Sequence, residues 1–166
     1  MAQAEIEPLL ELIDEAYAGP AWHGPSLRSA LRGVTAEQAV WRPAPGRHNI
    51  WELAVHAAYW KYAVRRRLLG EKGRGFPEPG RNWFERGDAP GSISAADAKG
   101  YKRDLAQLAR AHQELRQAVS KLRPSDLDRR SAGSRQTPRR MITGAALHDV
   151  YHAGQIQFLK RLVQAL

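Results

Sequence analysis

Apolar side chains in this sequence recur every three or four residues, and no stretch alternates strictly enough to read as a strand. That period puts them on one stripe of an α-helix. The first stripe is Ile6, Leu9, Leu10, Ile13, Ala16 and Tyr17. Gly19-Pro20 breaks it, and "HGPSLRSALRGV" restarts it with Pro25 in a first turn. "TAEQAVWRP" is a short turn capped by Thr35 and Gln38. A second long stripe opens at "HNIWE", with Asn49 and Glu52 as a capping-box pair, and runs to Leu69-Gly70. Leu53, His56 and Trp60 face inward along it. The third starts at Ser94 and Asp97, continues through Leu105, Leu108, His112, Leu115 and Val119, and closes at Arg123-Pro124 before a polar loop. Thr137-Pro138 starts the fourth: Met141, Ala145, His148, His152, Leu159 and Val163. Four amphipathic helices predict an all-α four-helix bundle with a broken first helix, a single domain over residues 1–166. Residues 71–93 read as a long loop between the second and third helices, pinned by Phe76, Trp83 and Phe84.

The absence of cysteine excludes disulfides, thiolate metal sites and a cysteine nucleophile, and fits a reducing cytoplasm. No signal-peptide pattern opens the chain and no apolar run is long enough to span a membrane, so a cytoplasmic protein is expected. The net charge of +9 attracts anions. Its arginines concentrate at "VRRRLLGEKGRGF" and between Arg123 and Arg140, without the interleaved aromatics of a single-strand platform.

The chemistry sits in "LHDVYHAGQI". His148 and His152 are four apart, hence on one helix face, and both fill the inward stripe. His56 fills the inward stripe of the second helix. Three buried imidazoles without partners would each cost desolvation, whereas one divalent cation satisfies all three. Three neutral imidazoles leave that cation its full charge and an open position, the pattern of catalytic sites. Zinc is the default; nickel, iron and manganese are alternatives.

"VWRPAPGRHNIWELAVH", followed much later by the HxxxHxGQI pattern of "HDVYHAGQI", resembles the DinB/YfiT-like superfamily of metal-dependent enzymes. The resemblance runs from "AWHGPSL" to the last helix. It implies a four-helix bundle with a three-histidine divalent metal site, and its pattern assigns the ligands to His56, His148 and His152. Families of this kind include thiol transferases that use bacillithiol or mycothiol, and a maleylpyruvate isomerase. The implied function is activation of a water or a low-molecular-weight thiol toward a small electrophilic substrate, as a thiol transferase or a hydrolase.

Other polar residues compete for roles around such a site. Glu52 reads as a capping partner rather than a catalytic acid. His48, at the helix start, is a substrate-shell candidate. His23 sits where the first helix breaks, and reads equally as an anion contact or a turn histidine. His112 reads as a stripe-edge residue with a polar partner. Asp149 gives an HDxxH that resembles the zinc-protease HExxH, but it is a methylene short and reads as a supporting or surface residue. Gln155 could hydrogen-bond a ligand histidine. Trp51, Tyr59, Trp60 and Tyr151 read as core and pocket wall. The alternative reading is a basic nucleic-acid-binding stress protein with a merely structural metal. A homodimer through an exposed helix face is the assembly to expect.

Overall fold

The computed structural model describes residues 5–72, 75–87, 94–130 and 135–165. Among them the structure is all-helical: α1 (Glu7–Tyr17), α2 (Leu27–Leu31), α3 (Ala36–Val40), α4 (Ile50–Leu69), α5 (Ala95–Ser120), α6 (Pro124–Leu127) and α7 (Pro138–Gln164). The long helices neighbour one another in a ring, α1 on α7, α7 on α4, α4 on α5 and α5 on α1, with α2 against α7 and α3 across α4 and α5. No helix among the described residues is long and apolar enough to cross a membrane.

The caps act largely where the sequence puts them. Thr35 and Gln38 exchange both bonds of a capping box, as do Ser94 and Asp97. Thr137 caps α7, with Pro138 in its first turn. Gly70 ends α4 in the left-handed conformation, which a residue without Cβ adopts freely. Three expectations need correction. Pro25 lies before the Ser26 N-cap rather than inside the first turn of α2. The segment after Arg123 is not all loop, because α6 forms there and buries Leu127. Asn49 caps α4 by accepting from the Glu52 amide at 2.8 Å, but the Glu52 carboxylate does not return the bond. It has other partners, described below.

The buried apolar residues form two clusters. One joins α2, α3, α4 and the amino-terminal half of α5 to the carboxy-terminal half of α7. The other joins α1 and α6 to Val64 of α4 and to the remaining halves of α5 and α7. Where one gives way to the other along each helix, the buried residues turn polar: Lys61 on α4, His112 on α5 and Asp149 on α7. Lys61 is 2% exposed and Asp149 1%, and the ammonium donates to Asp149 Oδ2. The ammonium also lies 5.0 Å from the centre of the Tyr17 ring. His112 is buried rather than at a stripe edge, stacks on Tyr17 at 4.0 Å and has Asp14 as its polar partner at 3.1 Å. Asp149 is therefore not a surface residue. It ties α7 to α4 through a charge pair in the interior.

Removing one member of a buried pair strands the other charge, which costs far more than the pair's net contribution. Asp149→Ala should lower unfolding free energy by about 3–5 kcal/mol in urea titrations. The double change Lys61→Met with Asp149→Leu should recover most of that loss. Equal destabilisation by the single and double variants would show that the pair's charge is not what matters.

Candidate metal centre

The three histidines singled out in the sequence meet. α7 presents His148 and His152 one turn apart, and α4 presents His56 opposite them. His56 and His152 are buried and His148 half-buried. The Nε2 atom of His148 lies 3.1 Å from His56 Nε2 and 3.0 Å from His152 Nε2. The far sides of two rings are held. His56 Nδ1 donates to the Asn82 carbonyl at 2.6 Å, and His152 Nδ1 donates to Gln155 Oε1 at 2.6 Å. Those bonds put the protons on Nδ1, so both Nε2 atoms point lone pairs at His148. His148 can give a proton to only one of them. At least one Nε2 lone pair thus faces a nitrogen at about 3 Å with no proton directed at it. A cation at the centre relieves that repulsion. Tetrahedral coordination with zinc–nitrogen bonds would space the donors by roughly 3.3 Å, close to what the rings show. The residues present fit a divalent ion.

Burial lowers the basicity of all three imidazoles, with mutual repulsion of their charged forms adding to it for His148 and His56. His56 falls to about 4 and His148 to about 3. The rings are neutral near pH 7, the state a metal requires.

The loop after α4 does more than cover the site. Asn82, at φ 71°, is the one non-glycine residue with positive φ among those described, a conformation asparagine tolerates. Its carbonyl holds His56 while its Oδ1 accepts from Trp60 Nε1 at 2.9 Å. The next residue, Trp83, lies between two imidazoles, stacked 3.8 Å from His56 and 3.5 Å from His48. This turn is fastened to the start of α4. The buried Glu52 carboxylate accepts from Arg42, from the Arg86 amide at 3.2 Å and from His48 Nδ1 at 2.9 Å. Asn49 and Arg42 both donate to the Arg86 carbonyl. Glu52 is thus a loop anchor and a partner for His48, roles that its capping position concealed.

A cavity of about 410 Å³ opens beside the centre. His152 and Gln155 form its floor, Trp83, Tyr151 and Phe158 are aromatic walls, and Arg47 and His48 stand in its lining. His48, with 44% of its side chain exposed, is therefore next to the imidazole cluster, as is Gln155. Tyr151 is wall rather than core, being 63% exposed. Trp60 is half-buried and belongs to a different cavity. His23 is exposed in the turn before α2 and is not gathered into the cluster. Neither the Asn82 carbonyl nor Lys61 has a signature in the sequence. A backbone acceptor has no residue-type signature, although an asparagine inside a glycine- and proline-rich loop is the residue to inspect for a left-handed turn.

The depressed histidines make stability depend on pH with a definite sign. The unfolded chain takes up protons near pH 6.5, whereas in the folded chain His56 resists them down to about 4 and His148 down to about 3. Stability of the metal-free protein is therefore complete above pH 6.5 and is lost as pH falls through that window. The urea midpoint in chelator should drop between pH 7 and pH 5; an unchanged midpoint would contradict neutral buried rings.

No curated protein and no solved structure matches the chain. The model of the DinB superfamily matches residues 21–156, a span holding all three clustered histidines and most of the helical framework. With most of its length matched, the chain belongs to the DinB superfamily.

Proposed function

We propose that the chain is a metal-dependent enzyme in which His56, His148 and His152 hold one divalent ion, and in which the cavity on the His152 side receives a small electrophilic substrate. The observation that carries this reading is the convergence of three Nε2 atoms whose Nδ1 sides are, for two rings, already committed to carbonyl oxygens. An ion held there would supply Lewis acidity, making a water or a low-molecular-weight thiol more acidic at its open position. Zinc suits three neutral nitrogen donors, with nickel, iron and manganese as the other ions to distinguish.

The chain's own groups supply the rest. Asn82 and Gln155 keep two rings from rotating, so the donors need not reorganise on metal uptake. Trp83, Tyr151 and Phe158 give the substrate an apolar surface and displace water. Arg47 brings positive charge to an anionic group of the substrate. His48 forms a dyad with Glu52: the carboxylate accepts from Nδ1, which leaves Nε2 as the basic atom in the cavity. There it can take a proton from the nucleophile or return one to the leaving group. Thiol transfer and hydrolysis both need these steps, and both fit the site.

Elemental analysis should find close to one divalent ion per chain in the purified protein and close to none in His152→Ala, with unchanged helicity by circular dichroism. Full metal content in that variant would remove the site. His48→Gln should keep the metal but lower turnover of a model electrophile by roughly 10²–10⁴-fold, the usual contribution of a positioned acid–base group. A loss of metal in His48→Gln would instead make His48 part of the ion's support.

A further inference from the structure

The two arginine clusters of the sequence meet in space. Arg66 and Arg67 from the first, Arg135 from the second and Arg81 from the loop between them line one cavity of about 850 Å³. It is separate from the cavity on the His152 side and contains none of the three clustered histidines. Two carboxylates also line it, but each is already engaged from outside it. Glu71 pairs with Arg65 at 2.5 Å, and Glu78 with Arg86 at 3.1 Å. Among the described residues, none of the four lining arginines forms an ion pair with a carboxylate. Arg66 reaches the Glu71 backbone carbonyl, and Arg67 lies 5.7 Å from the centre of the Trp60 ring. The wall beside them is aromatic, formed by Tyr59, Trp60 and Phe76.

We propose that this cavity is an anion-binding subsite for a small molecule that joins a flat apolar body to two or more anionic groups. Four guanidinium groups around one volume repel one another, and a single carboxylate or sulfonate leaves most of that charge unopposed. Guanidinium forks bind such oxyanions with two parallel bonds, and the aromatic wall takes the flat body. The wall also adjoins the centre: Trp60 donates to the side chain of Asn82, whose carbonyl holds His56. A ligand here therefore lies one residue from the imidazole cluster, in a cavity that shares no lining residue with the substrate cavity. The subsite stands on its own residues and does not depend on the metal reading.

Naphthalene-1,5-disulfonate is a suitable probe, because it is a flat dianion that does not strip metals. By titration calorimetry on the full-length protein at low ionic strength it should bind at least about tenfold more tightly than naphthalene-1-sulfonate. Arg66→Gln with Arg81→Gln should abolish that preference, with unchanged melting temperature and metal content. Arg130→Gln with Arg161→Gln, outside the cavity, should leave it intact. Absence of binding, equal affinity for mono- and disulfonate, or equal loss in both double variants would overturn the proposal. Loss on Arg47→Gln alone would move the ligand to the other cavity and also overturn it. So would displacement of the probe by a single-stranded oligonucleotide at lower concentration, which would assign the arginines to nucleic acid.

Discussion

Three imidazole nitrogens that share at most one proton do not converge at about 3 Å unless something fixes the rings from behind. In this protein that support comes from two carbonyl oxygens of different origin. Gln155 lies on the same helix as its ring, so α7 provides that restraint locally. Asn82 does not. Its carbonyl reaches His56 only because the turn around it is bound to the start of α4, and that attachment runs through Glu52, Arg42, Asn49 and Arg86. A carboxylate one turn before His56 on α4 is therefore part of what aims that ring. The same carboxylate holds His48, so the orientation of the imidazole cluster and the position of His48 in the cavity beside it share one anchor.

The second constraint is the polar layer between the two apolar clusters. A continuous hydrophobic seam would allow α4 and α7 to pack in neighbouring registers at similar cost, because apolar contacts are not directional. Lys61 and Asp149 permit only one. A shift of one turn, about 5.4 Å, would separate the charges inside the protein with nothing to replace either partner. Asp149 is adjacent to His148, and Lys61 lies on the helix that carries His56. The pair therefore sets the register in which the imidazoles meet.

Much of the framework could be read from the sequence because helix caps and apolar stripes are local signals. Thr35, Ser94 and Thr137 start helices where their residue types say they should. The triad of histidines was legible because each one interrupts an apolar stripe. Other features were hidden for physical reasons. Lys61 reads as solvated in any sequence pattern, since ammonium groups are seldom buried without a partner, and its partner lies 88 residues away. Glu52 sits at a position where two roles compete, and the local one is the only one that spacing reveals. The convergence of the arginines required the chain path, because the two clusters are separated by a helix of 26 residues. His23 marks the opposite case, a histidine at a helix break that the fold leaves at the surface.

The positions of the three imidazoles along the chain bear on how the cluster forms. His148 and His152 belong to one helix, so their spacing exists as soon as that helix does, on the time scale of local structure. His56 is 92 residues from His148, and the contact between them closes a long loop. The cluster is thus half local and half dependent on the slowest kind of encounter. A helical fragment of α7 alone would carry a bidentate half-site, and the third nitrogen would arrive only with the docking of α4. Loading of an ion would then report the completion of tertiary structure, and the ion's affinity would be measured partly in the currency of folding.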